Sequence, residues 1–176
     1  MTAYASVAAA QQDDLQRTPA ELIAAYEQGA AALRAAVSGL TADQLRDRPV
    51  PGRWSMLELV CHVADCEQFF ADRMKRTAAM DRPLLIGADG FRYSDALRYP
   101  DHDVEEEILL VEITRRQMAH VLRLLPAEAW QRTAIHSETG LVTLRQLLLH
   151  ANNHLDHHLA FAAEKRRALG VSPTSR

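Results

Sequence analysis

Five helix starts in this chain share one pattern. At Thr18, Thr41, Ser55, Asp103 and Thr143 a short hydroxyl or carboxylate side chain stands before an apolar-periodic run, and Glu21, Gln44, Glu58, Glu106 and Gln146 follow three residues later. The short side chain can accept from a free N–H of the first turn while the acid or amide reaches back to the cap, which satisfies donors that a helix end otherwise leaves bare. A chain punctuated in this way folds as a set of helices. The first run reaches about Val37 before "SGL", with Pro19 at its first position; the second is short and stops at "RPVPG". The third extends from Ser55 to about Met80, the fourth ends at Leu125-Pro126, and the last ends at Gly170 with basic residues in its final turns. The expected fold class is all-α, a four-helix bundle, in a single domain over 1–176 with 1–17 as an N-terminal extension and 171–176 as a C-terminal tail.

Composition agrees with helix packing. Of 176 residues 48% are apolar but only 6% aromatic, which is enough for a core without disulfides and poor in the residues a β-sandwich uses. A net charge of −3 with no Lys/Arg-rich run gives no support to a nucleic-acid or anionic-membrane partner. The opening residues do not read as a secretory signal, and no stretch reaches the roughly 18 apolar residues that a membrane span needs, so a cytoplasmic location is expected. Cys61 and Cys66 fall five apart in a helical run, too far along the axis for a disulfide, and are expected as reduced thiols.

One connection is long. "DRPLLIGADGFRYSDALRYPDHD" between the second and third long helices exceeds what antiparallel neighbours need, and a short helix near Tyr93 to Leu97 folding over a site is one reading of it, a plain connector the other. The second and fourth helices also resemble each other: "SMLELVCH" (55–62) and "TLRQLLLH" (143–150) share cap, capping-box residue, apolar spacing and a terminal histidine. This suggests a duplication of helix pairs with pseudo-twofold symmetry, which would bring His62 and His150 to one level of the interior.

Half of the eight histidines lie in "LLLHANNHLDHHL" (147–159). At about 100° per residue His150 and His154 share a face, His157 falls near it, His158 swings about 80° off and Asp156 points away. Leu144, Leu147, Ala151, Leu155 and Phe161 surround that face and mark it as interior. Two imidazoles one turn apart offer two ligands to one ion, and His62 on the facing helix is the candidate third; three neutral imidazoles leave coordination positions open, as in catalytic zinc sites. The alternative is a hydrogen-bonded core His62 and a solvated cluster on the last helix. Cys66, one turn from His62, is either a soft ligand or a small filler. Asp65 can orient an imidazole or be an ordinary surface carboxylate. His136 and His157 are candidates for the mouth of a site, while His102 and His120 read as surface residues. No phosphate loop, HExxH, GxSxG or Cys/His nucleophile pattern is present.

With "HVADCE" at His62, Trp54-Ser55 just before it and "HANNH" in the last helix, the chain resembles the DinB/YfiT-like superfamily of metal-dependent four-helix-bundle proteins from about Leu22 to Arg167. "GRWSMLELVCHVADCEQFFADRM" is similar to that family's second helix and "LVTLRQLLLHANNHLDHH" to its fourth, although Leu149 precedes the first histidine where some relatives have an aromatic residue. The resemblance implies a divalent ion, most often zinc or nickel, on His62, His150 and His154. It also implies a small-molecule substrate, and for some members a low-molecular-weight thiol transferred by an S-transferase; the Ala-rich first helix suits the homodimers common in the family. An open site of this kind fits thiol transfer, or water activation by a metal-dependent hydrolase. A non-catalytic metal-binding bundle is the third reading, favoured if a fourth protein ligand such as Cys66 or His157 closes the site.

Overall fold

The computed structural model describes residues 17–87 and 89–171; the N-terminal extension before Arg17 and the tail after Val171 lie outside the described residues. Thr18, Thr41, Ser55 and Thr143 each form the reciprocal capping box, whereas Asp103 accepts from Glu105 and Glu106 without a return bond. The helices are α1 (Pro19–Val37), α2 (Ala42–Arg46), α3 (Met56–Ala79), α4 (Gly90–Ala96, within the crossover), α5 (Val104–Leu124) and α6 (Leu144–Ala168). Short 3-10 turns cover Tyr99–Asp101 and Ala127–Gln131.

The four long helices, α1, α3, α5 and α6, form a bundle in which α1 packs against α5 and α6 and α3 does the same. α1 and α3 therefore stand at diagonal corners, as do α5 and α6, while α3 and α5, joined by the long crossover, are neighbours. The course of α3 against α6 is antiparallel: His62 near the start of α3 meets His154 and His158, while Phe70, two turns further on, meets His150. This correction matters for the site. In an antiparallel pair, duplicated positions fall on opposite sides of the crossing point, so His62 and His150 are separated along the bundle and not level.

At the centre, one polar network joins all four corners. Arg115 of α5 donates from Nε to Glu67 of α3 at 2.7 Å, from Nη1 to the Tyr26 carbonyl of α1 at 2.9 Å and from Nη2 to the Ala151 carbonyl of α6 at 3.1 Å. The Tyr26 hydroxyl donates to the second Glu67 oxygen. Tyr26 is fully buried, and Glu67 and Arg115 are 1% exposed. Gly29 makes room for the guanidinium, since a Cβ there would stand 2.4 Å from Nη1.

A small sheet closes one end, and the sequence reading did not anticipate it. β1 (Leu84–Leu85) pairs parallel with β2 (Thr133–His136), which pairs antiparallel with β3 (Gly140–Thr143). The alternation of "TAIH" and "GLVT" about "SETG", with Gly140 at φ 78°, was the available signal. The sheet fastens the start of the crossover to the bundle, helped by a bond from the Gly87 N–H to Ser137 Oγ at 2.8 Å. No helix among the described residues is long and apolar enough to cross a membrane.

Candidate metal centre

Three imidazoles converge between α3 and α6. Ring nitrogens of His62, His154 and His158 all lie within 4.8 Å of one another, and His62 Nε2 stands 3.2 Å from His154 Nε2. Two nitrogens sharing a tetrahedral ion at about 2.0–2.1 Å would stand about 3.3 Å apart. His158 supplies a second observation: its Nδ1 is buried and has no hydrogen-bond partner among the described residues. A buried nitrogen without a partner is costly unless something else engages it, and a lone-pair acceptor of this kind suits a cation. The donor set therefore fits a divalent metal ion that would be held by three nitrogens with positions left open.

Burial keeps all three rings neutral. It pulls His154 down to about 2, assisted by the neighbouring imidazoles, pulls His158 down to about 3, and pulls His62 down to about 4 against the opposing field of Asp65. Neutral rings present lone pairs at neutral pH, as metal binding requires. The surroundings are apolar and aromatic: Trp54 lies 4.8 Å from His62 between ring centroids, and Phe70 lies 5.2 Å from His154. The crossover passes over the cluster at Gly90. A Cβ on Gly90 at the start of α4 would be 2.5 Å from His62 Cε1, so this close approach needs glycine.

Of the residues expected at the site, His62 and His154 meet and His150 does not. His158, read from the sequence as turned away, is 8% exposed and is the third member of the group. The reason is helical phase. Measured from His150 at about 100° per residue, the buried Leu144, Ala151, Leu155 and Ala162 centre near 120°, which puts His158 closest to the interior, His154 next, and His150 and His157 at the edge. His150 lies at the solvent edge of α6, accessible on one side while neighbouring groups, with the Phe70 ring 5.2 Å away, desolvate it enough to lower its pKa, helped by Arg73 and His136. His157 is exposed and packs its ring 4.5 Å from Phe161. His136 stands on β2, half-buried, lowered by burial and by Arg73.

Asp65 accepts from the Tyr99 hydroxyl at 2.5 Å and so anchors the 3-10 turn, reaching His62 only as a field. Cys66 Sγ lies 3.6 Å from His62 Nε2, and burial pushes its thiol up to about 12, which keeps the proton on sulfur. Both cysteines are free thiols, as expected. His120 is exposed. A second group, Cys61, His102 and Glu107, also lies within 4.8 Å. There His102 bonds Glu107 through Nδ1 and the Leu97 carbonyl through Nε2, both at 2.8 Å, so the ring donates at both ends, its pKa is raised by Glu107, and it reads as an ion pair.

A four-helix bundle with a tris-histidine cluster beneath a crossover is the class of protein that fold and site define. A model of the DinB superfamily matches residues 25–162, and the chain belongs to that superfamily. It is 26% identical over 151 residues to the "Putative metal-dependent hydrolase YfiT" of Bacillus subtilis, covering 85% of each chain. A solved structure of that protein, described as a probable metal-dependent hydrolase with an unusual four-helix bundle topology, superposes with a TM-score of 0.83 at 25% identity, covering 89% of this chain and 90% of the other. A "Putative metal-dependent hydrolase" of Oceanobacillus iheyensis is 24% identical over 128 residues, 73% of this chain and 74% of that one. The mycothiol-dependent maleylpyruvate isomerase shares the fold, with a TM-score of 0.68 at 13% identity over 84% of this chain and 61% of the other.

Proposed function

We propose that this chain is a divalent-metal-dependent enzyme of small molecules that holds zinc or nickel on His62, His154 and His158 and transfers the sulfur of a low-molecular-weight thiol to an electrophilic substrate. The observation that carries the reading is the composition of the site: three neutral imidazoles meet, and among the described residues no carboxylate joins them. Asp65, the acid whose field reaches His62, is committed to Tyr99. A bound divalent ion draws charge from a sulfur or oxygen at its open positions, so that a thiol or a water loses its proton near neutral pH. The chain's own part is to keep the three rings unprotonated, to exclude water with Trp54 and Phe70, and to cover the site with the Gly90 strap. In thiol transfer the S–C bond forms as the leaving group departs with its electron pair and the thiol proton passes to solvent, so no base from the chain is needed.

Water activation is the second reading, favoured by the hydrolase names of the sequence relatives in Bacillus subtilis and Oceanobacillus iheyensis. It would call for a proton acceptor that this arrangement does not put beside the ion. A cytoplasmic location and a homodimer belong to the same proposal, the latter supported by Leu109 and Ile113, which are 43% and 54% exposed on α5. The decisive experiment incubates metal-loaded protein with cysteine, glutathione or mycothiol and a chlorinated or epoxide electrophile, and separately with nitrophenyl esters. Thiol adducts that vanish in His62→Ala support transfer; ester hydrolysis without thiol, and no adduct with any thiol, would replace it with the hydrolase reading.

A further inference from the structure

The face of α3 that carries His62 leads on to a second feature. At about 100° per residue, Phe69 and Arg73 lie within about 20° of His62 around the helix and about 10 and 16 Å further along its axis. Arg73 is 9% exposed, yet no carboxylate of the described residues lies within ion-pair distance of it. Its Nη2 donates to the Ile86 carbonyl at 2.6 Å, its guanidinium stands 5.9 Å from the Phe69 ring centroid, and its Nε and Nη1 make no hydrogen bond with the described residues. The two nearby acids act only at longer range: Asp72 is paired with Arg76 at 2.7 Å, and the exposed Glu138 packs against Gly87. This sets Arg73 apart from Arg115, whose charge meets Glu67, and from Arg48, which meets Glu58. A largely buried guanidinium with an open fork and no counter-ion is a poor arrangement for stability alone.

Arg73 lines a cavity of about 270 Å³ beneath the crossover, walled by Phe69, Tyr93, Leu85 and Ile86, with the Asp72–Arg76 ion pair also in its lining. Phe69 and Tyr93 meet edge to face at 5.6 Å, giving one aromatic wall. The same strap covers both places, since Gly90 rests on His62 while Gly87 and Tyr93 line the cavity. The guanidinium leans over Phe69, so roughly 10 to 16 Å of helix length, a span that an extended small molecule can cover, separates it from the imidazoles.

We propose that this cavity is the binding subsite for a carboxylate of the substrate, with Arg73 as its counter-ion. The substrate class is a small carboxylic acid whose apolar or aromatic body lies on Phe69 and Tyr93 and whose reactive end reaches the three histidines. A carboxylate matches the planar fork with two parallel bonds and brings the charge that the protein leaves out. This deepens the proposed enzyme and rests on it for the reactive end alone; the carboxylate site itself needs no ion.

The probes are phenylacetate and its neutral analogue phenylacetamide, titrated into metal-free and zinc-loaded full-length protein by calorimetry and by amide NMR shifts. In the metal-free protein, phenylacetate is expected to bind more tightly than the amide and to shift residues 69–76 and 84–87. Arg73→Gln should weaken phenylacetate at least tenfold while leaving phenylacetamide and zinc content unchanged, and Arg73→Lys should retain part of the affinity. Equal affinity for acid and amide, shifts confined to residues 150–158, an unchanged Arg73→Gln, or no binding of phenylacetate would each overturn the subsite. The shift map on the parent protein decides the matter even if the Arg73 variants fold poorly. Failure of the metal reading shows separately, as no zinc retained by a protein that still binds phenylacetate.

Discussion

Tyr26, Glu67 and Arg115 form one buried polar centre of the bundle, and His62, His154 and His158 form another a short way off. The first is closed on itself: a carboxylate, a phenol and a guanidinium satisfy one another and two backbone carbonyls, with opposite charges in contact. The second is neutral, crowded with lone pairs, and leaves His158 Nδ1 without a partner. A satisfied network fixes the packing of the helices around it, whereas an unsatisfied one is a vacancy in the hydrogen-bonding scheme that a cation can fill. Burial alone does not distinguish them. What distinguishes them is whether each polar atom finds its partner inside the chain.

Damage to the closed centre should cost the most stability. Glu67→Ala strands the Arg115 charge in the core and should lower stability in urea by about 3–5 kcal/mol. Tyr26→Phe, which removes one hydroxyl bond, should cost about 1 kcal/mol. Metal content per folded chain should be unchanged in both. If Glu67→Ala unfolds no more easily than the parent, the network is not what holds the four corners together.

Damage to the open centre should show the reverse pattern. His62→Ala and His158→Ala are each expected to lower divalent-ion occupancy at least tenfold, read by elemental analysis, with the helical circular-dichroism spectrum retained. Retention of a full equivalent of metal by His158→Ala would remove it from the ligand set.

Acid should also separate the two centres. The folded values of the three histidines are depressed to between about 2 and about 4, below the unfolded value near 6.5. Below pH 6.5 the unfolded chain takes up protons that the native site refuses, so this contribution to stability is full above that pH and is lost as pH falls towards the folded values. Protons compete with the ion only as pH nears the folded values. The fall in melting temperature caused by a chelator should therefore be nearly as large at pH 5.5 as at pH 7.5 and should shrink at about pH 4 and below. A shift already lost at pH 5.5 would argue against so deeply buried a set of histidine ligands.

The smallest effects belong to the edge of α6. His150→Ala and His157→Ala should leave metal content unchanged and alter stability by no more than about 0.5 kcal/mol, as exposed substitutions usually do. Loss of the ion in His150→Ala would restore it as a ligand and undo the phase drawn from the buried stripe.

Much of this bundle could be read in advance because its signals are local. Thr18, Thr41, Ser55 and Thr143 cap their helices with atoms only three residues away, and the observed ends at Val37, Ala79, Leu124 and Ala168 fall close to those expected. The strands at Leu84 and Thr133 were harder, since each pairs with a segment remote in sequence and β1 is only two residues long. His62 and His154 were legible as a cross-helix pair because both lie in strongly patterned runs. His158 falls outside the sequence-based set because that face was centred on the His150–His154 spacing, although Leu144, Ala151 and Leu155, the apolar residues that mark it as interior, centre nearer His158.

Legible from the sequence alone were the long capped helices, the placing of four of the eight histidines on one of them, and the long crossover that interrupts the bundle. Each of these depends on neighbours within a few residues, where backbone geometry leaves few alternatives. Only the tertiary structure decided that α3 and α6 run antiparallel, so that His62 meets His154 and His158 while His150 stands beyond the crossing. The same holds for Gly90 against His62 and for Arg73 beside a cavity whose one described acid, Asp72, is paired with Arg76. Those juxtapositions depend on the relative rotation and height of helices far apart in the chain, which cap residues and periodicity leave free and which the packing of the whole core fixes.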